Sequence, residues 1–124
     1  MSSEESITLL PDLHAPANAR TWLAERVAAL PAPVVDDALL VASELVTNAV
    51  RHGRPEIVLF VRRLRDGVRI AVRDEGEDVP VPAMDTPTVD RPTGRGLLIV
   101  AATARQWGVT AHPDRPGKTV WAEL

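Results

Sequence analysis

Two polar side chains, Glu44 and Asn48, have the chemical type and the spacing to bind a cation and to move a proton. They lie in the run from Ala42 to Gly53, four residues apart, so on a helix they occupy the same face one turn apart. Oxygen ligands placed in this way suit a hard cation such as Mg²⁺, and a carboxylate can also accept a proton from a hydroxyl or a water. Taken alone, such a pair is more often an ordinary solvated helix face, so the interpretation depends on the rest of the chain.

The helix that carries this pair is apolar on one half. At about 100° per residue, the apolar half contains Ala38, Leu39, Ala42, Leu45, Val46, Ala49 and Val50, and the other half contains Asp37, Val41, Glu44, Asn48 and Arg51. The pattern predicts a helix over residues 34–52, with Gly53 as a left-handed cap residue.

A third candidate is Asp74, which ends a β-rich run and is followed by Glu75 and Gly76. As a functional residue it would be a buried carboxylate that accepts a hydrogen bond from an exocyclic amine such as that of adenine, and Gly76 would leave room for a flat ring. As a structural residue it would simply form a turn.

Two glycine-containing segments complete the set of candidates. Gly94 and Gly96 open a predicted third helix, where glycine lets a phosphate approach the free N–H groups and the positive end of the helix dipole, and Thr93 could cap it. The alternative is a flexible hinge after a long loop. In the later segment, Thr119 follows Gly117 and Lys118 and could place a hydroxyl beside the same pocket, although threonine is also common in strands for its β-propensity.

The elements that must position these residues can be read from periodicity and turn signals. Strands are predicted at 6–10, 56–64, 68–73, 106–112 and 118–124, and helices at 16–30, 34–52 and 94–105. Arg65-Asp66-Gly67 is an Asp-Gly hairpin signal between two of the strands. The stretch 75–93 contains Pro80, Pro82, Pro87 and Pro92, and a loop of this length is usually functional or disordered.

This order of elements predicts an α/β (α+β) two-layer sandwich, with three helices packed on one face of a mixed, mostly antiparallel sheet. It does not predict a Rossmann fold, because Gly94-Arg95-Gly96 lacks the third glycine of a dinucleotide motif and follows a loop. The complete Walker motif is also absent.

Composition excludes several classes of function. The 124 residues fit one domain, and the absence of cysteine excludes disulfides and thiolate chemistry and agrees with a cytoplasmic location. No signal peptide and no apolar run of 18 residues is evident, so we expect no membrane span. A net charge of −3 without a basic cluster argues against nucleic acid as a partner.

Taken together and in this order, the motifs resemble the GHKL family of histidine kinase-like ATP-binding domains. The run from Glu44 to Gly53 is similar to the N box of that family, Asp74-Glu75-Gly76 to its first glycine box, and Gly94-Arg95-Gly96-Leu97 to its second. The His-Gly that closes the N box and the ending from Gly117 to Leu124 resemble the stand-alone anti-sigma-factor serine/threonine kinases of actinobacteria. The resemblance covers nearly the whole chain.

The resemblance implies a Bergerat ATP-binding fold over residues 1–124 and a role for each motif. Asn48 would be the Mg²⁺ ligand and Glu44 the general base, while Asp74 would accept from the adenine amine with Thr119 nearby. The remaining implied nucleotide-binding residues are Gly76, Gly94, Arg95, Gly96 and Leu97, and residues 75–93 would form the nucleotide lid. ATP and Mg²⁺ are the implied ligands, and a sigma factor, an anti-sigma antagonist and a second copy of the chain are the implied partners.

Two functions of different classes remain open. One is a kinase that phosphorylates a serine or threonine of an antagonist protein and also sequesters a sigma factor. The other is a catalytically weak or inactive nucleotide-binding module that acts through protein contacts, which is suggested by Asp78 at the position of the second glycine of the first glycine box. A histidine-kinase catalytic domain fits less well, because the chain has no room for a dimerisation helix pair.

Overall fold

The computed structural model describes residues 3–76 and 92–124, and the side chains of residues 92–95 are outside the description. Its elements follow the predicted order, and their ends differ from the predicted ones by at most three residues. They are β1 (Glu4–Leu9), α1 (Ala15–Val27), α2 (Ala32–His52), β2 (Ile57–Leu64), β3 (Gly67–Asp74), α3 (Pro92–Thr103), β4 (Gln106–Ala111) and β5 (Lys118–Glu123). No helix within the described residues is both long enough and apolar enough to cross a bilayer.

The five strands form one sheet in the order β1-β2-β3-β5-β4. Each pairing is antiparallel, so the sheet contains none of the parallel pairing that a mixed sheet would have. The predicted hairpin is present, because Leu64 pairs with Gly67 across the two-residue turn Arg65-Asp66. The predicted two-layer α+β sandwich with three helices is confirmed.

Alternation along the strands divides the sheet into a helix-covered face and an open face. On β3, the helix-covered face carries Val68, Ile70 and Val72, which are at most 1% exposed. The open face carries arginines that lie over aromatic rings: the guanidinium of Arg69 is 4.4 Å from the centre of the Trp121 ring and also bonds Glu123 at 2.9 Å. Burial of the apolar side chains on the covered face is the main force that holds the two layers together.

The helices α1 and α2 lie on the covered face, and their sequences explain where each begins and what it buries. The side chains of α1 that reach the core recur every four residues and form one stripe: Ala15, Ala19, Leu23 and Val27. The predicted helix end at residue 30 is three residues too late. Pro31 is the N-cap of α2 and Pro33 lies in its first turn, where a missing N–H costs no hydrogen bond. These prolines therefore begin the second helix as well as separating it from the first.

Candidate functional site

The polar edge of α2 faces the start of α3 and not the solvent. A Cβ atom built on Gly96 would lie 2.9 Å from Oε2 of Glu44 and 3.3 Å from Oδ1 and Nδ2 of Asn48. Both side chains are half-buried, and Val41 on the same half of the helix is fully buried. The sequence pattern had placed Val41 with the polar residues of the helix, and its burial shows that this half also packs against protein. A side chain at Gly96 would crowd the ends of Glu44 and Asn48.

Asn48 carries an unused hydrogen-bonding group at this junction. Its side-chain Nδ2 is buried and has no hydrogen-bond partner among the described residues. A buried amide without a partner is costly, so such a group in a native fold commonly marks a place where a ligand or a water binds. The carboxylate of Glu44 lies on the same edge, one turn away, and the two side chains together present a donor and several acceptors toward the first turn of α3.

The start of α3 carries the backbone groups to which an anion could bind. The helix begins at Pro92, two residues before the predicted start, so Thr93 and Gly94 lie within its first turn and Thr93 is not the cap residue. Backbone N–H groups in a first helical turn lack partners inside the helix and sit at the positive end of its dipole. The side chain of Arg95 lies outside the described residues. Leu97 is fully buried and packs in the core.

Asp74 is a buried carboxylate at the end of β3, as the functional interpretation of the sequence requires. The residue is 2% exposed. Its Oδ1 accepts a hydrogen bond of 2.7 Å from the backbone N–H of Gly76 and one of 3.0 Å from Nζ of Lys118. Both of these bonds end on Oδ1, so Oδ2 carries neither of them. The local bond to Gly76 also satisfies the turn-forming role of Asp74, and the two interpretations of this residue are compatible.

Lys118 is a charged neighbour of Asp74 to which the sequence analysis assigned no role. It is 4% exposed, and its ammonium also donates to the backbone carbonyl of Gly76 at 3.3 Å. The pairing of β3 with β5 places it directly opposite Asp74 on the helix-covered face. A signal was available, because the chain contains one lysine and thirteen arginines. Lysine ends in a compact ammonium with three donors, whereas arginine ends in a larger planar guanidinium. A buried strand position that fits the ammonium therefore does not accept arginine in the same way.

The end of α2 closes the pocket around Asp74. Gly53 has φ −88° and ψ −168°, which is extended and not left-handed, so the predicted cap conformation was wrong. Its glycine is required for space: a Cβ atom there would lie 2.5 Å from Cγ of Asp74 and 2.7 Å from the carbonyl oxygen of Ala49. The backbone N–H of Gly53 nevertheless donates to that carbonyl at 2.9 Å and ends the helix.

The turn before β5 lies on the other side of Asp74. A Cβ atom on Gly117 would be 2.7 Å from the backbone oxygen of Asp74, 2.8 Å from Cδ2 of His112 and 3.2 Å from Oε2 of Glu75. The ring Nε2 of His112 is buried and has no hydrogen-bond partner in the described part of the chain.

Thr119 does not join this pocket. It pairs with Arg73, whereas Lys118 pairs with Asp74, and neighbouring residues of a strand point to opposite faces of a sheet. The hydroxyl of Thr119 is therefore on the open face, away from Asp74. The prediction that placed Thr119 beside the carboxylate is wrong, because it overlooked this alternation.

The two halves of the site are separated along α2. Gly53 contacts Asp74 at the end of the helix, and Asn48 and Glu44 contact Gly96 about 8 and 14 Å before it, at 1.5 Å per residue. One end offers a buried carboxylate, and the other offers a helix N-terminus with an unpaired amide and a second carboxylate. This arrangement suits an elongated ligand with an amine at one end and an anionic group at the other.

A metal ion at the second end would need ligands from its anionic partner. Within residues 3–76 and 92–124, no group of three or more acidic or histidine side chains is arranged to hold a metal. Mg²⁺ commonly uses one or two protein oxygens together with phosphate oxygens and waters. The unpaired amide of Asn48, with its oxygen at the same junction, fits that mode of binding.

Comparisons with known proteins identify the family and the fold. The family model described as the histidine kinase-like ATPase domain matches residues 9–124. Among solved structures, the crystal structure of the RsbU and RsbW domains of Rv1364c from Mycobacterium tuberculosis is similar, with a TM-score of 0.71 and 24% sequence identity. The match covers 98% of this chain and 32% of that one, so the chain spans about a third of that protein's length. No curated protein matches at a significant level.

The contact between Gly53 and Asp74 can be tested by adding one methyl group. We expect Gly53→Ala to lower the free energy of unfolding by about 1–3 kcal/mol, because the added carbon overlaps a buried carboxylate and a backbone oxygen that cannot move away cheaply. Urea unfolding measures this change. The control is Arg54→Ala at the adjacent exposed position, for which we expect a change within about 0.5 kcal/mol. Equal stabilities for Gly53→Ala and the wild type would show that the helix end does not press on Asp74.

Proposed function

Because the chain belongs to the histidine kinase-like ATPase domain family, we propose that it binds ATP with Mg²⁺ and phosphorylates a serine or threonine of a protein partner. The observation that carries this proposal is the junction of α2 and α3. There the unpaired amide of Asn48 and the carboxylate of Glu44 lie against Gly96, in the first turns of a helix whose N–H groups can bind phosphate.

The adenine end of the proposed site is the pocket of Asp74. The carboxylate accepts from the exocyclic amine of the base through the oxygen that the two internal hydrogen bonds leave free. Gly53 and Gly76 lie beside it, and neither adds a side chain to the surroundings of the carboxylate. A hydrogen bond to a charged acceptor contributes about 1.5–3 kcal/mol when the site excludes water, which is enough to select for an amine-bearing base.

The phosphate end is formed by α3 and Asn48. Backbone N–H groups of the first turn of α3, including those of Gly94 and Arg95, would donate to phosphate oxygens. Asn48 would contribute its side-chain oxygen to Mg²⁺ and its N–H to a phosphate. When bound, Mg²⁺ neutralises charge on the phosphates and orients them. The lid, residues 75–93, belongs to this proposal as well, although residues 77–91 with Asp78 lie outside the described residues.

Glu44 is the proposed general base. Its carboxylate lies one helical turn before Asn48 and farther from Asp74, so in the proposed orientation of the nucleotide it would lie beside the terminal phosphate and not beside the base. It would accept the proton of the attacking serine or threonine hydroxyl, a role for which a positioned carboxylate typically contributes a factor of about 10² to 10⁴ in rate. No cation of the described residues pairs with Glu44, and the carboxylate is available to accept that proton.

The proposed partners are an anti-sigma antagonist as the phosphorylated substrate and a sigma factor as a sequestered partner, with a second copy of the chain as a further possibility. Support comes from the resemblance of the N box and of the final strand to stand-alone anti-sigma kinases. The structural likeness to a protein with an RsbW domain agrees with this placement, at the level of fold. The alternative is a nucleotide-binding module that acts through protein contacts without catalysis. Measurement of the rate of ATP hydrolysis distinguishes it from a kinase.

The proposed roles of Asn48 and Glu44 predict two different defects. We expect Asn48→Ala to abolish Mg²⁺-dependent ATP binding, because it removes the metal ligand. We expect Glu44→Gln to keep the dissociation constant within a few-fold and to lower the rate of ATP hydrolysis by a factor of about 10² to 10⁴, with water standing in for the protein hydroxyl. Calorimetric titration with ATP, with and without Mg²⁺, measures the first effect, and phosphate release measures the second.

Two exposed residues of α1 provide matched controls for these variants. Asn18→Ala and Glu25→Gln repeat the same chemical changes away from the site, and both should bind and hydrolyse ATP like the wild type. If the Asn48→Ala variant binds Mg-ATP with wild-type affinity, the assignment of Asn48 as the metal ligand is wrong. Saturable binding with no hydrolysis above background in the wild type, and no transfer to an antagonist, would favour the non-catalytic module.

Gly96 gives a test that separates stability from binding. We expect Gly96→Ala to leave the free energy of unfolding unchanged or to raise it by up to about 1 kcal/mol, since alanine favours a helix interior and the end of the Glu44 side chain can swing aside. The same methyl group displaces Glu44 and crowds Asn48, so affinity for Mg-ATP should fall at least tenfold. Thermal unfolding and titration of the same sample measure both quantities. A stable variant with wild-type affinity would contradict the proposed phosphate end.

A further inference from the structure

We infer that Lys118 is a positioning residue that sets the base selectivity of the site, because it keeps Asp74 as an ionised carboxylate that accepts hydrogen bonds and does not donate them. This inference rests on the proposed function, since it concerns which nucleotide the Asp74 pocket prefers. It goes further in assigning a role to a residue that would not touch the nucleotide's reacting atoms.

The geometry around the ammonium is the first support. Nζ of Lys118 lies 3.0 Å from Oδ1 of Asp74 and 3.3 Å from the backbone oxygen of Gly76, and the two charged side chains are only 5% and 3% exposed. The ammonium thus bonds both the carboxylate and the turn that follows it. Since Gly76 also donates to the same Oδ1, the carboxylate is held at one oxygen by two donors.

The chemistry of a buried carboxylate is the second support. A carboxylate without a cation in such an environment takes up a proton, because an isolated buried charge costs more than the neutral acid. A neutral carboxylic acid has an O–H donor as well as acceptors. It could then bond the 6-oxo group of hypoxanthine as well as the 6-amino group of adenine. An ionised carboxylate can only accept, so it favours the amine and repels the oxo group.

Fixed orientation is the third support. An ionised carboxylate that could rotate or shift would still accept from the ring N1–H of a 6-oxo purine. Asp74 has little freedom to do so, because Oδ1 is bonded twice and Gly53 lies so close that a Cβ there would be 2.5 Å from Cγ of Asp74. The single lysine of the chain pairs with Asp74 across the two strands, where its charge neutralises the carboxylate.

The charge state can be measured without nucleotide, by infrared spectroscopy of the unliganded protein with labelled aspartate. We expect wild-type protein to show no protonated-carboxyl band from Asp74 and Lys118→Met to gain one. The double variant Asp74→Asn with Lys118→Met identifies the band, because it lacks the carboxyl group. A Lys118→Met protein that folds and shows no such band overturns the inference, whatever the protein binds.

Selectivity is then measured as the ratio of the dissociation constants for ITP and ATP in the presence of Mg²⁺. We expect the wild type to prefer ATP by about tenfold or more, Lys118→Arg to keep a preference, and Lys118→Met to lose most of it. Arg115→Met, which removes an exposed cation from the turn before β5, is the matched control and should keep the wild-type ratio.

The double variant also covers the case in which Lys118→Met does not fold. It buries no net charge, and its carboxamide can donate as well as accept, so we expect it to fold and to have lost the preference for ATP. A wild-type ratio in either variant overturns the inference while leaving ATP binding intact. Failure of the wild type to bind either nucleotide overturns both the inference and the proposed function.

Discussion

The site depends first on two opposite charges that are buried together, Asp74 and Lys118. Removing water from either ion costs several kcal/mol, and in such a pair the loss of one partner typically costs about 3–5 kcal/mol. The two residues meet because β3 and β5 pair in one register. A slip of one residue would put Thr119 in the place of Lys118 and send the ammonium to the open face. The charge pair and the strand register therefore stabilise each other, and the buried carboxylate is a consequence of the sheet as much as of the local turn.

The second constraint is the close approach of the neighbouring elements to α2. This helix meets Asp74 at Gly53 and meets α3 at Gly96, and in both places a Cβ atom would overlap a functional side chain. The helix thus fixes the distance between the two ends of the site, while the two glycines let the neighbouring elements come into contact with it. Neither glycine serves a left-handed turn. Gly53 leaves space for the carboxylate and a backbone oxygen, and Gly96 leaves space for the ends of Glu44 and Asn48 within a helix where glycine has poor propensity.

The sequence was sufficient to predict the helix and sheet layers, but it did not predict several contacts between residues that are distant in the chain. Hydrophobic periodicity and turn signals predicted all eight elements, since amphipathic patterns reflect burial directly. Residue type and spacing made Asp74 and the Glu44–Asn48 edge candidates, and the order of the motifs along the chain favoured them over the structural alternatives. Lys118 was missed and Thr119 misplaced because their faces depend on which strand pairs with β3 and in which register, and neither is visible in a local pattern. The burial of Val41 and the backbone conformation of Gly53 were not predicted for a related reason. The residues that bury Val41 and those that crowd Gly53 are distant in sequence.

The distribution of charge suggests a division of tasks along α2. At the Asp74 end, the carboxylate is already neutralised by the one lysine of the chain, so binding there depends on hydrogen-bond direction and not on net charge. At the Asn48 end, the described groups are a neutral amide, a carboxylate and the N-terminus of α3. In a chain with a net charge of −3, these groups attract a triphosphate weakly, and the carboxylate of Glu44 opposes it. For the proposed function, a divalent cation would have to supply most of the attraction at that end. Base selection and phosphate binding would then be separable, because the first would depend on the strand pairing and the second on the cation that accompanies the nucleotide.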